Sequence, residues 1–249
     1  MPDLTLLALG VPAAIWAGIS KGGFGSGAAF ASALLLALIV DPATALGIML
    51  PVLLLIDALT LRPFWGQWHG PSARALILGG IPGVGLGIAL FAVASDDVLR
   101  LLIAAVALGF VAWQLAGQMR WIRVRPAPFR WSAGLGTGVL AGFTSFISHA
   151  GGPAVAVFLL AQGLAKTTFQ ATTVIAFAVL NLVKAVPYGV MGFFTAETLM
   201  LGLWLAPAAV LGTWIGIKAH ARVPETLFFS ITYVLLTITG LKLVWDALT

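Results

Sequence analysis

Ten apolar segments, at roughly 4–20, 27–40, 43–61, 73–94, 98–117, 132–147, 153–164, 167–190, 198–217 and 226–246, constrain this chain more than any other feature. Little lies between them: the longest polar interval, Gln118 to Trp131, is about a dozen residues. With 61% hydrophobic and 8% charged residues, there is too little polar surface to cover a water-soluble globule. The chain reads as an all-α integral membrane protein. The start, Met1-Pro2-Asp3-Leu4, lacks the basic n-region of a signal peptide, so the first apolar segment is expected to be retained.

The segments divide five and five, predicting a first transmembrane repeat over 1–117, a basic cytoplasmic linker over 118–131 and a second repeat over 132–249. Internal similarity supports the division. Ala17-Gly18 and Ala141-Gly142 each precede a glycine-rich break, and Asp57, Pro82 and Gly87 fall opposite Asn181, Pro207 and Gly212. Crossing the hydrocarbon takes about 20 helical residues, so 27–40 and 153–164 are short for full spans. With their partners 4–20 and 132–147 they read as broken, re-entrant helix hairpins, each followed by three transmembrane helices. An odd number of crossings per half makes the repeats inverted in topology. Thin complete crossings would give the same count.

Charge agrees with that topology. With Arg120, Arg123, Arg125 and Arg130 cytoplasmic, alternation brings Arg62, Arg74, Lys166, Lys218 and Arg222 to the same face, with Glu225 as the one acid. Asp3, Asp41, Asp96, Asp97, Glu197 and Asp246 fall on the other face, beside Arg100 and Lys242. Both termini are thus expected to be periplasmic, with the central loop in the cytoplasm of a bacterial inner-membrane protein. This distribution also explains the net charge of +5 as a topology signal, so nucleic acid is not expected as a partner. No cysteine occurs, which excludes disulfides, thiolate metal sites and a cysteine nucleophile.

The polar chemistry concentrates at the two breaks. The first presents Ser20, Lys21, Gly22, Gly23, Gly25, Ser26 and Gly27; the second presents Thr144, Ser145, Ser148, His149, Gly151, Gly152 and Pro153. A lysine in hydrocarbon is costly, and the glycines predict an unwound, cavity-lining segment around it. Each break also leads into a helix start, whose free N–H groups and partial positive charge favour an oxyanion. Candidate substrate-binding residues are Lys21, Gly22, Gly23, Gly25, Ser26, Ser148, His149, Gly151, Gly152 and Asn181. Lys21 could instead form a structural ion pair with Asp57 or snorkel, and the glycines could serve close helix packing, the reading preferred for Gly79, Gly83 and Gly87. His149 is either an anion ligand or proton acceptor, or an interhelical hydrogen-bond donor. Asp57 and Lys184 are coupling or ion-pair candidates, and Arg62 is a second partner for Asp57.

The chain resembles the sulfite exporter TauE/SafE family of membrane permeases over essentially its whole length. The resemblance rests on Ala17 to Gly27, on its counterpart Ala141 to Gly152 with Pro153, and on the basic loop between the halves. The second break departs from a repeat of the first by carrying His149 and no lysine. The resemblance implies a secondary transporter that moves sulfite or a sulfonate such as sulfoacetate or sulfolactate by alternating access. Transport or channelling of small carboxylates, or a non-transporting membrane subunit, are the alternatives. No Walker-type G-x-x-x-x-G-K-[ST] is present, so the energy would come from a proton or sodium gradient, the membrane potential or a partner. Neither a nucleophile elbow nor a metal motif is present, since His69 and His220 fall in loops, so no enzyme, metal or cofactor is expected. The expected partners are a small anion and the lipid bilayer, with oligomeric state left open.

Overall fold

The computed structural model describes residues 4–24, 29–119, 121 and 127–220, with isolated positions between 234 and 248. Among these residues the chain is entirely helical: α1 (Leu4–Gly23), α2 (Ala31–Leu36), α3 (Pro42–Leu61), α4 (Gly70–Phe91), α5 (Asp96–Gln118), α6 (Trp131–Ser148), α7 (Gly152–Ala161), α8 (Lys166–Val190) and α9 (Ala196–Ala219). Local chemistry sets several of these ends. The Asp41 carboxylate accepts from the Thr44 N–H at 2.9 Å, with Pro42 in the first helical turn of α3. At the start of α9, Thr195 and Thr198 form a reciprocal capping box. The tenth apolar segment, 226–246, lies largely outside the described residues.

Six helices, α1, α3, α4, α5, α8 and α9, are long and apolar enough to cross a bilayer. By contrast, the six residues of α2 and the ten of α7 extend roughly 9 and 15 Å at 1.5 Å per residue, far short of a hydrocarbon core. The distribution of polarity suits lipid rather than water. Leu78, Ile81, Leu86, Leu182, Leu203, Trp204 and Trp214 are exposed, while Lys21, Asp57 and Lys184 are buried. Together, length and polarity describe a multi-pass membrane protein.

Two helix pairs dominate the packing, α4 on α6 and α1 on α9. Both depend on missing side chains. A Cβ at Gly79 or Gly83 of α4 would strike the carbonyls of Leu135 or Val139, and one at Gly138 or Gly142 of α6 would strike Leu76 or Gly80. The same holds where Gly18 and Gly22 of α1 meet Gly212 and Gly216 of α9. Small residues recurring every four positions let the backbones touch, which replaces a hydrophobic drive that lipid cannot supply. Packing is therefore the role of Gly79 and Gly83, and Gly87 lies likewise against Phe146.

Candidate functional site

The first break is shorter than its glycines suggest. α1 continues through Gly23, so Lys21 stands in its last helical turn rather than in an unwound segment. Glycine costs about 1 kcal/mol in a helix, but here its lack of a Cβ permits the α9 contact. A Cβ on Gly22 would lie 2.7 Å from the Thr213 carbonyl oxygen and one on Gly23 2.5 Å from that of Gly216. Both glycines thus pack against α9, in keeping with the packing alternative. Gly25 and Ser26 lie outside the described residues.

Lys21 is 2% exposed, and its ammonium pairs with Asp57 Oδ1 of α3 at 2.5 Å. Asn181 of α8 donates from Nδ2 to the other carboxylate oxygen at 2.6 Å. Asp57 thus pairs with Lys21, not with Arg62. The backbone carbonyl of Lys21, near the end of α1, accepts from Gln170 Nε2 at 2.6 Å. Its neighbour, the Gly23 carbonyl, lies 2.7 Å from His220 Nδ1.

At the second break the helix ends as the sequence suggests. His149 adopts φ 55°, a left-handed conformation that L-residues seldom take, and stops α6 after Ser148. The Ala150 N–H reaches back to the Thr144 carbonyl at 3.2 Å. Lys184 of α8 caps this helix end, donating to the Ser145 carbonyl at 3.0 Å, to Ser145 Oγ at 2.9 Å and to His149 Nδ1 at 2.9 Å. On the far side of the ring, Nε2 faces the Leu46 carbonyl at 3.4 Å. A carbonyl only accepts, so that geometry puts the neutral ring's proton on Nε2 and leaves Nδ1 to accept from the lysine. Lys184 is wholly buried and has no carboxylate within 4 Å among the described residues.

One small cavity joins these groups. Lys21, Leu53, Ser145, His149, Gly152 and Asn181 line it, with Phe177 and Ala29 completing the wall. It has room for about one water molecule. A larger groove between α5, α6 and α7 is lined by Phe110, Trp113, Leu140, Pro153 and Val157 among others, and offers an anion no charge.

Of the predicted residues, Lys21, His149, Gly152 and Asn181 therefore meet at one cavity, with Asp57 and Lys184 immediately behind. Ser148 does not join them. Its hydroxyl donates to the Thr144 carbonyl at 2.9 Å, and the residue faces a separate apolar cavity with Ala33, Leu46 and Ile103. Gly151 is placed where a Cβ would meet the Ala141 carbonyl at 2.6 Å and the Phe177 ring at 2.7 Å. Ser145 and Phe177, neither of them a candidate from the sequence, line the cavity, and the Tyr188 hydroxyl donates to the Phe146 carbonyl at 2.5 Å. A signal was present: Gln170, Phe177, Asn181, Lys184 and Tyr188 recur every three, four or seven residues and so share one face of α8.

Comparison with known families matches residues 10–243 to the sulfite exporter TauE/SafE family. The chain belongs to this family. No curated protein and no solved structure matches it. TauE/SafE proteins are membrane transporters, and that assignment accords with spans that bury charge between them and present apolar side chains outward.

Proposed function

We propose that the protein is a secondary transporter for a small sulfur oxyanion, sulfite or a sulfonate, bound between the ends of α1 and α6. The observation that carries this reading is the charge inventory around the cavity: two buried lysines and one buried carboxylate. A compact anion with several oxygens would receive donors from Lys21, Asn181, Ser145 and the α7 start at Gly152, with His149 nearby, and would need no metal. The present cavity is too small for such a ligand, so binding requires widening. Alternating access supplies that movement, with the two halves sliding or rocking about the site.

The halves are taken as inverted repeats, 1–117 and 132–249, joined by a cytoplasmic linker. Three contacts support this. Asp57 and Asn181, which occupy matching positions, touch each other, as matching positions can do only at a symmetry axis. Gly87 of α4 packs on α6 and its counterpart Gly212 of α9 packs on α1, so the cross-half contacts are reciprocal. In this scheme both termini face the periplasm, and a proton or sodium gradient drives the cycle. Because the sequence has no cysteine, single cysteines introduced at Ala94 and Ala127 will report sidedness to a membrane-impermeant maleimide. Labelling of Ala94→Cys, and not Ala127→Cys, from outside is expected; the reverse overturns the orientation.

The purified protein in proteoliposomes is expected to give saturable sulfite or sulfonate uptake with exchange of unlabelled substrate. Uptake of small carboxylates alone would retain the site and reject sulfur. Conductance far above carrier rates would reject the carrier, and absence of all anion flux would reject the transport reading.

A further inference from the structure

The cavity's charge is divided unevenly, and the division bears on the substrate's valence. Lys21 is neutralised from behind: Asp57 does not line the cavity, yet its Oδ1 has no partner other than the Lys21 ammonium among the described residues. Lys184 has no such partner. Its three acceptors, the Ser145 carbonyl, Ser145 Oγ and His149 Nδ1, match the three N–H bonds of an ammonium and are all neutral. Should the proton pass from Lys184 to His149, the pair would still carry one positive charge. With Lys184 counted as an ammonium, the buried site presents a single uncompensated charge, in surroundings where a second net charge is expensive.

Resting on the anion-transporter reading above, we infer that Asp57 is a specificity-determining residue that sets the valence of the substrate: by neutralising Lys21 it leaves one positive charge, which selects monoanions such as hydrogen sulfite or a simple alkanesulfonate over dianions. A monoanion leaves the loaded site neutral. A dianion leaves it with one net negative charge and no cation to meet it. A unit charge within several ångströms of a bound anion, at the effective dielectric of a protein interior, changes its binding by tenfold or more. Removing the Asp57 charge should therefore invert the preference, and removing the Lys21 charge as well should restore it.

The test compares methanesulfonate, a fixed monoanion, with sulfate, a fixed dianion, at neutral pH and constant ionic strength. Apparent dissociation constants come from ligand-dependent thermal stabilisation of the full chain in detergent, and are checked by competition with anion flux in proteoliposomes. The wild type is expected to bind methanesulfonate at least tenfold more tightly than sulfate. Asp57→Asn should shift that ratio at least tenfold toward sulfate, and Asp57→Asn with Lys21→Met should return it to within about threefold of wild type. A purely structural role for Asp57 would weaken both anions alike and would not be reversed by removing Lys21. Should Asp57→Asn alone fail to fold, the double variant decides, because it keeps the single net charge and must keep the monoanion preference. A wild type that prefers sulfate, an unchanged ratio in Asp57→Asn, or a double variant that prefers sulfate overturns the inference while leaving the transporter intact. A wild type that neither binds nor carries any anion overturns both.

Discussion

The ends of α1 and α6 bring side chains to the same cavity, yet they handle charge in opposite ways. At the end of α1 the cation belongs to the helix itself, and Asp57 from α3 cancels it at 2.5 Å. At the end of α6 the cation arrives from α8: Lys184 binds the Ser145 carbonyl, where the helix's own partial negative charge favours it, and no carboxylate is within 4 Å. From the sequence, Lys21 looks like the site's positive charge. In the fold the lysine without a carboxylate contact sits at the other tip. Under the proposed function, Lys21 therefore contributes donors and a displaceable ion pair, whereas Lys184 contributes net attraction.

The sharpest way to break this comparison is to remove each cation in turn. Lys21→Ala strands a buried carboxylate, so it should cost about 3–5 kcal/mol of stability and abolish anion flux. Adding Asp57→Asn should recover much of the stability without recovering normal flux, as measured by thermal unfolding beside uptake. Normal flux in folded Lys21→Ala would remove the residue from the site. Lys184→Met leaves the Ser145 carbonyl and the His149 ring without their donor, at roughly 1.5–3 kcal/mol. Its flux should fall as completely as that of Lys21→Ala despite the smaller stability loss; retained anion binding would sink the claim that the net charge lies at the second tip.

Smaller changes sharpen the contrast. Gly22→Ala inserts a methyl into the α1–α9 contact and should cost about 1–3 kcal/mol, with the apparent affinity of the remaining folded protein unchanged. A selective loss of affinity would return Gly22 to the ligand. His149→Asn keeps a residue that tolerates the left-handed conformation and should stay within about 1 kcal/mol of the wild-type stability. Flux in this variant should drop while thermal unfolding barely moves, and unaltered flux would leave His149 as a helix terminator only.

Much of the architecture was legible because it follows from local rules. Helices α6 and α7 fall within a few residues of the apolar segments 132–147 and 153–164, since hydrophobic runs in lipid must satisfy their own backbone as helices. The first glycine run misled for a reason equally physical. A glycine can open a helix or let two helices touch, and only the presence of α9 beside Gly18, Gly22 and Gly23 decides between these uses. Ser148 and Ser145 illustrate the same limit within one helix turn: three residues apart, one returns its hydroxyl to its own backbone and the other meets Lys184.

The sequence by itself determined that the chain is a bundle of apolar membrane helices, and it singled out Lys21, Asp57, His149 and Lys184 as ionisable groups within the apolar segments or at their breaks. It did so because hydrophobic length and the cost of a buried charge depend on composition and order alone. Only the tertiary structure decided that Asp57 belongs to Lys21, that Asn181 shares that carboxylate, and that Lys184 crosses to the end of α6. Pairing among two lysines, one aspartate and a histidine is set by which helix faces meet, and residues such as Lys21 and Asp57 come together through packing that no local spacing encodes.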